Sequence, residues 1–188
     1  MAEPSEFIFF AEGFVQYLAF VGLARSGGVD TETALRLLSE RFARFYEKEA
    51  PPEPRSLINE SRRICAGDST NWMWNFSAGG LAALWIDEQL RARSPGAPGM
   101  LEAMLALYRR WEHHPVGIPE DTFEEVFSEA AGARTPEVWS AHIRGSKPLP
   151  LEAILEGAGI RREGEGYRVI PDAEVSEAVV RFRRNAFR

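Results

Sequence analysis

Acid–base and metal chemistry need histidines, cysteines and carboxylates within reach of one another, and this chain offers few of them. Its three histidines are His113, His114 and His142. His113 and His114 are adjacent, so on a helix they project about 100° apart and do not converge on one ion. They stand just before Pro115, where a cationic or hydrogen-bonding residue suits the last helix carbonyls. His142 falls in mid-helix with neither a histidine nor a carboxylate at i+4, the pattern of a satisfied structural histidine. No H-E-x-x-H is present, which removes the usual two-histidine zinc platform. Without a G-x-S-x-G elbow, a Ser-His-Asp set has no support either. Cys65 is the lone cysteine, so neither an internal disulfide nor a cysteine-based zinc site can form. Its apolar flanks, Ile64 and Ala66, predict a small buried filler and not a reactive thiol. The glycine-rich stretches match neither a phosphate loop nor a dinucleotide fingerprint.

Glu12 is the acid that stands out. On a helical wheel it falls among Ile8, Val15 and Ala19, not on a charged face. A carboxylate buried there needs a partner, because an unpaired buried charge is expensive. Two readings stay open: an ion pair with an arginine, or a ligand or catalytic carboxylate.

The elements that would position these residues are mostly helices. From Glu6 to about Arg25, Phe7, Phe10, Phe14, Tyr17, Leu18 and Val21 recur at helical spacing. Ile8, Val15, Ala19 and Leu23 widen that stripe until little polar face remains, which predicts a largely buried helix closed by Gly27-Gly28. Asp30 reads as the N-cap of a helix to about Glu49 with a core stripe of Leu35, Leu38, Phe42 and Phe45. Pro51, Pro52 and Pro54 stop it. Residues 55–70 read as irregular, with a helical turn or two around Leu57–Ile64. A long helix follows from near Asn75 to Arg93. Its adjacent Gly79 and Gly80 cost roughly 1 kcal/mol each relative to alanine, which is explained if another backbone comes close there.

Shorter helices follow from Pro98 to about Trp111, from Pro119 to Gly132, from Thr135-Pro136 to Arg144 and over Leu149–Leu155, each with readable caps. Strand chemistry enters only at Gly159–Glu163 and Tyr167–Ile170, flanking Gly164-Glu165-Gly166, as a small hairpin. The tail from Asp172 suits a terminal helix. The fold expected is mainly α, bundle-like, with at most that hairpin. Residues 1–161 read as the helical domain and 162–188 as its hairpin and helix extension.

Composition bounds the class. The 188 residues are 45% hydrophobic and 27% charged, an ordinary globular balance that excludes disorder and disulfide scaffolds. With 22 basic against 28 acidic residues the net charge is −6, so no basic footprint favours nucleic acid or an anionic membrane. No apolar run reaches the length of a membrane span. Glu3 and Glu6 replace the basic start of a signal peptide. The expectation is a soluble chain, cytoplasmic if it is complete.

Several segments together resemble a known family. Glu12-Gly13-Phe14-Val15-Gln16-Tyr17 resembles the E-G-F-T-x-Y helix of the glycyl aminopeptidase family, zinc metallopeptidases of the gluzincin group related to thermolysin. Phe76-Ser77-Ala78-Gly79-Gly80-Leu81-Ala82-Ala83-Leu84-Trp85-Ile86-Asp87 is similar to that family's Y-x-K-G-A-L-x-A-L-x-L-D helix. Phe123–Phe127, Ala131-Gly132 and the stretch Ile143–Glu152 resemble its closing helices and its R-G-T-E-x-L-P-Y-E segment. The matches are collinear and span roughly Phe7 to Arg161.

The resemblance implies the C-terminal helical lobe of a thermolysin-like catalytic domain, with Glu12 in the place of the third zinc ligand. It equally implies what is missing. Only eleven residues precede Glu12, too few for the family's H-E-x-x-H helix, and catalytic zinc needs three protein ligands. Phe76 stands where the family has an oxyanion-stabilising tyrosine, and phenylalanine has no hydroxyl to donate. Ala78 and Val15 replace a lysine and a threonine of the motifs.

The expectation is therefore a non-catalytic, metallopeptidase-like domain with no catalytic residue and no cofactor of its own, zinc being the cofactor of the family it resembles. Glu12 would be a relic ligand, at least partly buried near Phe76 and paired with an arginine, a tryptophan N–H or the backbone. Phe14, Trp72, Trp74 and Phe76 would line the former cleft. If uncovered they offer an apolar patch to a protein partner or a second copy; otherwise the segment 50–70 folds over them. Two alternatives stay open: the C-terminal part of an active zinc aminopeptidase whose metal-binding half lies outside this chain, and an unrelated helical module that binds a small ligand or peptide.

Overall fold

Helices form where the apolar spacing places them, and a computed structural model describes them over residues 7–94, 96–112, 123–132 and 135–188. His113 and His114 lie outside the described residues. Helix α1 opens as a π-helical turn, Phe9–Phe14, and continues as Val15–Arg25. Helix α2 runs through Thr31–Leu38, a second π-helical stretch Ser39–Ala43, and Arg44–Lys48. Its N-cap is Asp30, whose Oδ1 accepts from the Thr33 N–H at 2.7 Å, the role expected of an aspartate there. Leu57–Cys65 forms α3, a regular helix capped by Ser56 where only a turn or two was expected. The longest helix, α4, spans Trp72–Ala92. Then come α5 (Met100–Trp111), α6 (Phe123–Ala130), α7 (Val138–Arg144, π-helical) and α8 (Leu151–Gly157). Strands β1 (Ile160–Glu163) and β2 (Gly166–Val169) pair antiparallel, Ile160 opposite Val169 and Glu163 opposite Gly166. Gly164 takes positive φ in the connection, as a two-residue hairpin turn requires. Helix α9, Glu177–Phe187, closes the chain. The fold is mainly helical, with this antiparallel hairpin near its C-terminus.

Helix α4 is the centre. Fifteen of its residues are buried, including Asn75, Ser77, Asp87 and Arg91. The adjacent glycines explain how α1 reaches it. A Cβ at Gly13 would fall 2.6 Å from the Gly80 nitrogen and from the Phe76 carbonyl oxygen. A Cβ at Gly79 would land on the Phe9 carbonyl, and one at Gly80 would meet the Phe42 ring at 2.5 Å. The backbones of α1 and α4 therefore touch with no side chain between them. The seam is fastened by polar bonds. The Phe9 N–H, an orphan donor of the first turn, donates to Ser61 Oγ at 3.3 Å; Ser61 donates to Asn75 Oδ1 at 3.2 Å; and Asn75 Nδ2 donates to the Leu57 carbonyl at 2.9 Å.

That contact decides which side of α1 looks outward. With Phe9, Gly13, Phe14 and Tyr17 turned to α4, the face carrying Glu12, Val15, Ala19 and Leu23 is exposed; Val15 is 50% and Leu23 41% accessible. The expectation of a helix buried almost all round is corrected here. Cys65 is corrected too, since it lies at the exposed last turn of α3.

The hairpin and α9 are joined by a buried arginine. Arg183 donates to the carbonyls of Ala158, Ile170 and Gly159 at 2.8–3.0 Å and to Asp172 Oδ1 at 2.7 Å. Nothing in the apolar spacing of the tail singles it out. Among the described residues no helix is long and apolar enough to cross a membrane.

Candidate binding groove

Glu12 projects from the π-helical turn of α1 and is exposed, with no hydrogen bond or ion pair to any described residue. The expected burial and pairing are corrected. The physical reason is a rotation of about 100° between neighbouring helix positions, which turns Glu12 outward while Gly13 meets α4. The four cleft residues are also not an open patch. Phe14 is fully buried against Phe9, Phe10 and Phe127. Phe76 is 2% exposed, packed on Phe42 and Trp72 with the Arg41 guanidinium 4.6 Å from its ring centre. Trp74 is 6% exposed and Trp72 half-buried. Phe42 and Tyr46 of α2 pack on Phe76 and Trp74, and Phe127 of α6 packs on Phe14, because aromatic rings gain more by packing than by meeting water.

Trp74 reaches a concave site. A groove of about 830 Å3 lies between the end of α2, α4, α7 and the extended residues 146–150. Its floor is Trp74 stacked on Tyr46, ring centres 6.1 Å apart and planes 22° apart. Prolines wall both sides, Pro51, Pro52 and Pro54 opposite Pro148 and Pro150. Proline's fixed φ and missing N–H keep both rims out of regular helix. The fold builds this shape because α2 must stop at the prolines and the chain after α7 must run without helix into α8.

Two polar groups converge on it. The Tyr46 hydroxyl accepts from the Leu149 N–H at 2.9 Å, which ties the two walls together and leaves the phenol its own hydrogen to donate. Burial raises its pKa and keeps it protonated. His142 lines the groove, 3% exposed, with the edge of its ring against Trp85 at 5.1 Å. Its Nδ1 lies 2.9 Å from the Lys147 carbonyl oxygen. A carbonyl only accepts, so Nδ1 carries the hydrogen, and in the neutral ring Nε2 is an acceptor. That buried Nε2 has no partner among the described residues, so His142 is satisfied on one side and unsatisfied on the other. The sequence marks His142 as mid-helix and satisfied; only the fold leaves Nε2 bare.

Behind the groove, α4 is pinned by a buried polar network that the sequence does not announce. Asp87 accepts from the Tyr17 hydroxyl at 2.6 Å, from Arg91 Nε at 2.9 Å and from the Met100 N–H at 2.6 Å. Glu102 accepts from Arg91 and from the Gly99 N–H at 2.9 Å each, and from Arg25 Nη1 at 2.9 Å. Burial pushes the Asp87 carboxyl above its ordinary value against the pull of Arg91, Tyr17 and the Met100 N–H. Burial and the neighbouring Asp87 raise the Tyr17 phenol well above its own, so it stays a donor. Partial burial works against ionisation of Glu102, yet the Gly99 N–H, Arg25 and Arg91 hold it down to about 2. The Tyr17 and Asp87 positions both fall in the segments that carry the family resemblance, and the structure brings them into direct contact.

No protein-family model matches this chain, and comparison with curated proteins and with solved structures gives no match. Zinc, the metal of the family resembled, finds one exposed carboxylate at Glu12. The described residues form no group of three His, Cys, Asp or Glu able to hold an ion, so they do not by themselves fit it.

Proposed function

We propose that this chain is a non-catalytic, metallopeptidase-like helical domain that serves as an interaction module, and that its groove takes an extended apolar or proline-containing peptide segment. The observation that carries the reading is the pairing of an aromatic floor with a phenol hydrogen and an imidazole nitrogen that no described residue takes up. A peptide unit presents one N–H and one C=O, which complement the His142 Nε2 and the Tyr46 hydroxyl. Extended segments already ordered by proline lose little entropy on docking against stacked aromatic rings. The volume lies within the range of about 300–1,000 Å3 common to such sites. The close approach of the Glu12 helix to the Phe76 helix supports descent from a peptidase lobe, while Phe76 lacks the hydroxyl that catalysis in that family would use.

The test is titration of a capped Pro-Leu-Pro-Leu peptide, followed by tryptophan fluorescence and by the His142 ring-nitrogen signals. Saturable binding that shifts Nε2 is expected. Tyr46→Phe keeps the ring and removes both the donor and the acceptor of the Leu149 N–H, and should weaken binding by at least roughly 5–10-fold, the worth of one hydrogen bond. An unchanged affinity in that variant, or no saturation in the millimolar range, refutes the reading.

The alternative, that the chain supplies the C-terminal part of an active zinc aminopeptidase whose metal-binding half lies elsewhere, is favoured by one observation: the Glu12 carboxylate is exposed and unpaired, as a ligand awaiting an ion would be. Zinc-dependent aminopeptidase activity in the full assembly that Glu12→Gln abolishes would establish it; retention of all activity in that variant would dismiss it.

A further inference from the structure

Asp87 and Glu88 are adjacent on α4, and their surroundings differ sharply. Asp87 faces α1 and α5 and takes three donors. Glu88 points the other way, toward α8 and α9, and its Oε1 is buried without a hydrogen-bond partner among the described residues. Burial, and behind it the Asp87 charge, raises the Glu88 carboxyl well above the usual carboxylate range. A buried acceptor of this kind is rare in folded proteins and costs stability unless something satisfies it.

The surroundings of that carboxyl form a site. It lies on the wall of a cavity of about 440 Å3 between α4, α8 and α9, separate from the groove described above. Gly157 of α8 makes the room: a Cβ there would fall 2.6 Å from Glu88 Oε2 and 2.9 Å from Oε1. Ala92, Ala153, Val179 and Phe182 supply apolar wall. The charged groups that face the cavity are Arg91 from α4, Glu156 from α8 and Arg181 from α9. Arg91 is already committed to Asp87 and Glu102, and Arg181 forms no ion pair with Glu88. The lining therefore brings two carboxylates, Glu88 and Glu156, against two guanidiniums, of which Arg91 is already spent. A metal ion would find too few ligands, since hard cations take six or more oxygens.

We infer that this cavity is a binding site for a small primary ammonium carrying a short apolar chain, its N–H groups donating to the Glu88 carboxylate. The ammonium is compact and brings three donors to a carboxyl group for which no described residue supplies a hydrogen bond. Its alkyl chain of a few carbons lies along Ala92, Val179 and Phe182. The site stands independently of the peptide groove, so failure of either leaves the other in place.

The experiment uses n-butylammonium as the probe, with n-butanol as the uncharged probe of the same shape, on the full chain carrying 13C-labelled glutamate carboxyls. Saturable binding of n-butylammonium is expected at neutral pH, with the Glu88 carboxyl signal moving to its ionised position and its titration midpoint falling when the amine is present. In Glu88→Gln the affinity for n-butylammonium should fall about tenfold or more, the loss of a charge-assisted bond, while n-butanol binding is unchanged. The wild-type carboxyl titration needs no variant and stands even if Glu88→Gln folds poorly. A Glu88 signal that the amine leaves unmoved overturns the inference, as does equal affinity of the two forms for n-butylammonium; in either case Glu88 is satisfied by its own proton alone.

Discussion

Replacing Gly79 by alanine isolates the contact on which the fold turns. In a solvent-exposed helix this change is favourable by about 1 kcal/mol, because alanine restricts the unfolded chain and has the better helix propensity. Here the new Cβ would land on the Phe9 carbonyl, 2.9 Å from its carbon and 3.1 Å from the Phe9 Cα. Carbon atoms in contact prefer about 3.5–4.0 Å, so α1 and α4 would have to part by roughly 1 Å. The obstacle is backbone, which has no rotamer to change, so the overpacking cost lies at the upper end of the usual 1–3 kcal/mol. Set against the propensity gain, the net loss is about 2 kcal/mol. For a chain of this size that lowers Tm by about 4–8 °C. Gly22 supplies the control on the same α1: no atom lies within 4 Å of a Cβ built there and its φ is not positive. Gly22→Ala should therefore raise stability by about 0.4–1 kcal/mol. Thermal and urea denaturation of both variants check the pair. A Gly79→Ala protein as stable as wild type, or more so, would refute the backbone contact.

Two further outcomes follow from the site descriptions. Glu102 is held down to about 2, below its unfolded value near 4.3, so its contribution is present above the unfolded value and lost as pH falls from about 4 toward 2; because its side chain is 37% exposed, screening reduces this to about 1 kcal/mol, and Glu102→Gln should flatten that part of the acid limb in denaturation measured against pH. Cys65 is exposed in the folded chain, so a thiol reagent should modify it stoichiometrically without denaturant; a thiol that reacts only after unfolding would contradict its placement.

Much of the fold was legible because its punctuation is local. Asp30 caps α2, the prolines at 51, 52 and 54 end it, Gly164 turns the hairpin, and each acts through its own backbone geometry within a few residues. The paired glycines of α4 carried long-range information: their propensity cost demands a compensating close approach, and Phe9 and Gly13 supply it. The orientation of α1 was not legible in the same way. Its apolar residues circle the helix almost completely, so periodicity could not say which side meets α4, and Glu12 was assigned to a buried face that the glycine contact turns outward.

Sequence by itself determined the class of this protein: the helices, their ends, the one hairpin, and the absence of an H-E-x-x-H platform. Those properties depend on residue types a few positions apart. Tertiary structure alone decided which polar groups meet. Tyr17 and Asp87 are 70 residues apart, the Tyr46 hydroxyl is tied to a backbone N–H 103 residues away, and Arg183 reaches back to the hairpin and to the Ala158 carbonyl that precedes it. Nor does any spacing rule separate Asp87, with three donors, from Glu88, with none among the described residues. Neighbouring helix positions differ by about 100°, and whether each direction ends on a donor, a cavity or water is set by how the other helices pack around α4.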